Sequence, residues 1–184
     1  MSEKARTLFT QLQTEFDEMR YLQDISRLRM ELSRRLSEGL VEAPLQYRVP
    51  RVSEDNTCGF GMVQNPFELK WAFDLDEKNR LRLNRLNTAL HWLNEMVTLD
   101  WLGIYQKAEE FHQPAYIDDI YGNSSTSPNL IKLCYIGAPS RAAFPLNETF
   151  AQQSNNSRSF LSQNPILIQD VEKAVAEGAP YYEC

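Results

Sequence analysis

Between residues 3 and 38 the apolar side chains Leu8, Leu12, Phe16, Met19, Leu22, Ile25, Leu28, Leu32 and Leu36 recur at steps of three and four. That spacing lines one face of an α-helix. Gly39 supplies the stop. At ~1.5 Å per residue the helix is roughly 50 Å long, more than a small domain covers along its whole length. Part of the stripe therefore needs a partner. Either a second copy of the chain covers it, or the helix breaks once and folds back on its own domain; the homodimer is the expected use.

The helical period stops after Gly39. In residues 41–75, Pro44, Pro50, Gly59, Gly61 and Pro66 interrupt the chain, while LQYRVPRV and FELKWAF alternate as short strands do. This segment reads as a connector with one or two edge strands. Cys58 lies in a turn-like SEDNTCGFG with nothing beside it to activate the thiol. A second helix is expected over residues 76–98, with Leu83, Leu86, Leu90, Leu93 and Val97 as its stripe and Asp74 or Asp76 as its cap. His91, alone in that helix, is assigned no chemistry.

After it come the apolar DWLGIYQ, a polar YGNSSTSPN and the apolar LIKLCYIGA, an order that implies antiparallel pairing. PSRAAFPL then starts a further strand, ETFAQQSNNSRSFLSQN reads as a short helix and loop, PILIQD as a buried strand, and VEKAVAEGAPYYEC as a short helix or turn. The fold class is therefore α+β. Residues 1–40 form the long helix, 41–75 the connector and 76–184 the domain.

Composition narrows the functions. The 184 residues carry a formal net charge of -6, and residues 99–184 hold 5 basic against 10 acidic side chains. A nucleic-acid partner needs clustered Lys and Arg to displace phosphate counterions, so none is expected. No apolar run approaches the ~18 to 20 residues that span a bilayer, and the N-terminal segment is too charged for a signal peptide. A cytoplasmic protein without a membrane partner is the expectation. Cys58, Cys134 and Cys184 are too few and too widely spaced for a disulfide framework or a zinc site.

Four segments together carry a resemblance: LDWLGIY (99–105), RAAFPLNETFA (141–151), NPILIQDVE (164–172) and APYYEC (179–184). In order and spacing they resemble landmarks of a GAF domain, nearest to the subgroup of free methionine-(R)-sulfoxide reductases, over roughly residues 80–184. The resemblance implies a GAF-like antiparallel sheet flanked by helices, one face of which closes over a small-molecule pocket. It also implies a polar or acidic residue and two more strands after Cys184. Their absence implies that this sequence is part of a longer chain, or that residues 45–73 fill the missing strand positions.

By the same resemblance Trp101 and Tyr105 enclose the ligand, and in a strand residues four apart share a face. Cys184 aligns with the catalytic cysteine, which needs a second thiol to resolve its sulfenic acid. The family's other two cysteine positions fall near Arg141 and Ala151, neither of them Cys, and Cys134 reads as a small buried thiol. Tyr182, in the terminal motif, and Asp170 complete the expected ligand-binding set; Asp170 also suits the cap of a helix starting at Val171. Asp118 and Asp119 read as a solvated or capping pair at a strand end. Ser154, Ser157 and Ser159 have no His or Asp at triad spacing. No haem, flavin, bilin or metal feature is present, so no cofactor is expected. The expected function is a dimeric small-molecule-binding or sensory GAF module without an output domain. Its alternatives are a sulfoxide reductase using Cys184, or a degenerate structural or interaction domain.

Overall fold

The computed structural model describes residues 18–52, 58–121 and 124–178. Residues 3–17 of the expected first helix, and Tyr182 and Cys184, lie outside the described residues. The chain divides into two compact units, Met1–Val41 and Glu42–Cys184.

In the first unit, helix α1 spans Glu18–Glu38. It ends where expected, before Gly39, whose φ of +152° is a conformation side chains rarely tolerate. Arg34 pairs with both Glu31 and Glu38 one turn away in each direction. These exposed pairs support the helix only weakly. Along the stripe Ile25, Leu28, Leu32 and Leu36 are half-buried, no described side chain of α1 is fully buried, and Met30 is largely exposed.

The second unit mixes helices with small antiparallel sheets. Strands β1 (Gln46–Tyr47) and β4 (Phe67–Glu68) pair Tyr47 with Phe67. Strands β2 (Pro50–Val52) and β3 (Cys58–Met62) form a second ribbon. A 3-10 turn at Leu69–Trp71 leads to helix α2 (Glu77–Met96), whose first turn Asp76 caps by accepting the Asn79 N–H at 2.7 Å. The main sheet has three strands in the order β5–β6–β7: Leu102–Ala108, Asn129–Ile136 and Ala143–Pro145. Helix α3 (Pro114–Tyr121) lies between β5 and β6 in sequence. After β7 follow α4 (Glu148–Ala151), α5 (Asn155–Ser162) and α6 (Val171–Ala176).

Residues 45–73 do more than connect. Tyr47, Val49, Phe67, Leu69 and Trp71 are all buried in the core, and the Tyr47 hydroxyl donates to the main-chain oxygen of Lys132 in β6. Aromatic contacts continue from Tyr47 to Phe67 at 5.4 Å, Phe67 to Trp71 at 5.3 Å and Trp71 to Tyr116 at 4.9 Å. Helix α2 is tied to the same segment by polar bonds. Asn84 accepts the Ala43 N–H, and Asn87 donates to the Glu42 carbonyl. Its apolar stripe is buried at Leu83 and Leu90, whereas Leu93 and Val97 are exposed at 42% and 56%. His91 is exposed.

Two sequence expectations fail. PILIQD is no strand: residues 165–170 carry no strand pairing, and Leu167 is 72% exposed. An apolar run this short does not by itself select a strand, and Pro165 lacks the N–H that a ladder uses. Asp118 and Asp119 lie in helix α3 rather than at a strand end. Asp118 does serve locally, accepting from both the N–H and the hydroxyl of Ser125 at 2.9 and 2.6 Å.

Leu90 is fully buried, and truncating such a side chain removes its burial and leaves a cavity. In urea unfolding, Leu90→Ala is expected to lower stability by about 2–5 kcal/mol. Leu167→Ala, at an exposed position, is expected to change it by less than about 0.5 kcal/mol. A large effect at Leu167 would restore PILIQD to the core.

Candidate functional site

The two aromatic residues singled out from the sequence lie together. Trp101 sits just before β5 and Tyr105 within it, with ring centroids 6.3 Å apart and planes tilted by 31°. They stay on one side although the β5–β6 register slips between them: Ile104 faces Cys134 and Tyr105 faces Lys132, leaving Leu133 as the extra residue on β6.

Trp101 is held by backbone rather than by a deep pocket. Its indole Nε1 donates to the Ala138 carbonyl at 3.2 Å, and its six-membered ring lies over Gly103. A Cβ at Gly103 would come within 2.3 Å of Trp101 Cη2. Gly137, at φ +101°, brings the start of the next loop against Asp100 and Trp101. One face of the indole is thus fixed while 37% of the residue remains open. Tyr105 is half-buried and meets Phe144 of β7 edge-on at 5.4 Å, and Phe144 meets Phe150 of α4 at 6.5 Å.

Next to these rings lies a buried polar cluster that the sequence reading did not single out. Lys132, opposite Tyr105, is fully buried. Its Nζ donates to the Ser140 carbonyl at 2.8 Å and to Ser140 Oγ at 2.9 Å, and stands 4.0 Å from the Tyr135 ring centroid and 5.0 Å from that of Tyr47. Among the described residues no carboxylate pairs with it. Loss of water pushes its pKa down to about 7. Ser140 also neighbours the Tyr105 hydroxyl, which burial pushes well above the ordinary phenol range. Arg141 follows, buried, with Nε donating to the Ala143 carbonyl at 2.6 Å and its guanidinium over the rings of Tyr121 at 4.5 Å and Phe150 at 4.8 Å. The Tyr121 hydroxyl accepts the Ala142 N–H at 2.8 Å. The signal for this cluster was in the sequence: a lysine inside the otherwise apolar LIKLCYIGA.

The remaining candidates have local roles. Asp170 accepts the Lys173 N–H at 2.9 Å and so caps α6, as its position suggested. Ser154 caps α5, Ser157 donates to the Pro145 carbonyl, and Ser159 donates to the Asn164 carbonyl. Cys134 is a free thiol, fully buried as expected, and burial pushes its pKa up to about 11. Such a thiol is protonated at neutral pH and a poor nucleophile. Among the described residues no three His, Cys, Asp or Glu side chains converge in a way that could hold a metal. A groove of about 220 Å³ opens elsewhere, lined by Leu69, Phe73, Leu83 and Leu86 with Arg82 and Gln106.

Two expected outcomes follow from this geometry. Gly103→Ala forces the Trp101 indole off its seat, so the Trp101 emission should shift and its Nε1–H exchange faster, while far-ultraviolet circular dichroism stays unchanged; an unaltered Trp101 signal would contradict the packing. The second concerns Lys132, whose pKa is lower in the folded chain than the 10.5 of a free side chain. Between these values the unfolded state binds the extra proton, so stability rises with pH from about 7 upward. Wild-type stability should therefore gain about 1–3 kcal/mol between pH 7 and 9, a gain that Lys132→Met removes. Equal slopes in the two proteins would place the amine in water.

Comparison with protein-family models, with curated proteins and with solved structures gave no match, so the chain's chemistry rests on its own residues.

Proposed function

We propose that the chain is a GAF-type small-molecule-binding module, sensory in use, which dimerises through α1 and takes its ligand on the Trp101–Tyr105 side of the β5–β6–β7 sheet. The observation that carries this reading is the pairing of the two rings, 6.3 Å apart, with the indole fixed on one face and 37% open. Aromatic walls beside a few placed polar groups are what small amphipathic ligands use. Ser140, Lys132 and the Tyr105 hydroxyl supply the polar groups here. The antiparallel three-stranded sheet and the helices around it are compatible with a GAF-like architecture.

The dimer is supported by the half-buried stripe Ile25, Leu28, Leu32 and Leu36 on α1, where no described side chain is fully buried. A free, buried Cys134 suits a reducing compartment such as the cytoplasm. No described helix is long and apolar enough to cross a membrane.

The reductase alternative gains nothing from the described residues. It needs a resolving thiol beside Cys184, and Cys134 is buried with its thiol held protonated, while Arg141 and Ala151 stand where the resemblance puts cysteines.

Three measurements test this reading. Screening a small-metabolite set by the Trp101 indole N–H signal should find ligands that Trp101→Ala and Tyr105→Ala each weaken by about tenfold or more, a loss of about 1.4 kcal/mol. Ligands indifferent to both substitutions would move the site elsewhere. Light scattering should give twice the chain mass, and Leu28→Glu with Leu32→Glu should give a monomer; a monomeric wild type would remove the dimer. Free methionine sulfoxide should persist in the presence of the protein and a thiol reductant. Its loss, abolished by Cys184→Ser, would establish the reductase instead.

A further inference from the structure

Lys132 poses a chemical problem that the fold alone does not explain. A buried ammonium loses several kcal/mol of hydration, and proteins ordinarily offset this with a carboxylate. Here the partners are one carbonyl, one hydroxyl and two phenol rings. The ionisable groups beside it are Tyr47 of β1, Tyr135 of β6 itself and its cross-strand partner Tyr105 of β5, and Tyr47 in turn neighbours Tyr121 of α3 and Cys134 of β6. Burial keeps every one of these protonated and neutral. Arg141 brings a second cation to the same loop. No described group adjoining Lys132 supplies negative charge.

Strand register sets this cluster beside the Trp101–Tyr105 side. Tyr105 is the cross-strand partner of Lys132, its hydroxyl neighbours Ser140, and Ser140 Oγ accepts from Lys132 Nζ at 2.9 Å. The chain of contacts runs from an open aromatic surface to an unneutralised amine. In a site of low dielectric, one anion placed at the end of that chain interacts with the amine much more strongly than it would in water.

We propose that the Trp101–Tyr105 face takes a small molecule joining a flat apolar ring to an anionic group, a carboxylate or a phosphate, with the ring against the two aromatic side chains and the anion drawn toward Ser140 by Lys132. This rests on the ligand-binding reading above and names the chemical class that the site selects. Lys132 is a specificity-determining residue in this scheme. It need not touch the ligand, because its charge acts through Ser140.

The test uses the full chain and three probes that share a phenyl ring: phenylacetate, phenyl phosphate and the neutral phenylacetamide. Binding is read from the Trp101 indole N–H, identified by its absence in Trp101→Phe. At pH 6 at least one anionic probe should bind about tenfold tighter than the amide, and the better of the two anions separates carboxylate from phosphate. The preference should shrink to within about twofold at pH 9, where the amine is neutral, and in Lys132→Met. The pH comparison is made on wild-type protein, so the outcome stands even if that variant does not fold. Equal affinity for anions and amide at pH 6 overturns the inference while leaving the face a binding site. A preference for the anion that persists unchanged at pH 9 also overturns it, since Lys132 is then not its source. If none of the three perturbs Trp101 at about 10 mM, a concentration at which even weak fragments bind, the inference is overturned as well.

Discussion

Burying the amine of Lys132 is the constraint around which the described part of the second unit is arranged. Strand β6 pairs with β5 on one side and β7 on the other, and Lys132 within it is fully buried. Neutral acceptors and ring faces fixed round Nζ offset part of the cost: the Ser140 carbonyl and hydroxyl, the Tyr135 ring and the Tyr47 ring. Tyr135 lies on β6 itself, while Ser140 and Tyr47 come from other stretches of chain. Ser140 requires the loop between β6 and β7 to fold back over the strand, which the bond from Lys132 N–H to the Ala142 carbonyl fixes at 2.9 Å. Tyr47 requires the segment before α2 to pack against the sheet, anchored by its own hydroxyl on the Lys132 carbonyl. A single polar residue in an apolar strand thereby recruits the loop, the ribbon and the strand together. Polar groups buried this way, if all are satisfied, favour one arrangement over near alternatives.

The aromatic face depends on the same strand. Tyr105 is placed by its pairing with Lys132, and Trp101 by two glycines that let its ring lie flat against the backbone at the other end of β5. The slip in register at Leu133 lets both rings share a side while one residue of β6 turns to the opposite groove, where Leu133 joins Leu69 and Leu83. The two sides of the sheet differ in chemistry as a result. One is a leucine-lined groove with a polar rim; the other combines exposed aromatic surface with buried cations. The proposed recognition of a charged small molecule is placed on the second for that reason.

Much of this was legible in the residues, and the exceptions have identifiable causes. Helix α2 and its Asp76 cap, the antiparallel β5–β6 pair and the buried Cys134 followed from local spacing, because each depends on neighbours a few residues away. The shared side of Trp101 and Tyr105 also followed, although β5 starts only at Leu102, just after Trp101, and its pairing with β6 slips in register. The short strands of residues 45–73 were legible as alternation, but their place in the core was not, since Tyr47 acquires its importance from a lysine 85 positions later. PILIQD misled for the opposite reason: a short apolar run looks the same whether or not another strand lies beside it. The Lys132 cluster was half visible, as a charge in an apolar strand, but its partners Ser140 and Tyr47 are joined only by the tertiary fold.

The most direct test of the account is a crystal of the protein soaked in a mixed fragment library, with the difference density located. The account predicts ordered density in van der Waals contact with Trp101 and Tyr105, its polar end toward Ser140. Density confined to the groove beside Leu69, Leu83 and Arg82, with the Trp101–Tyr105 side bare in every data set, would contradict it.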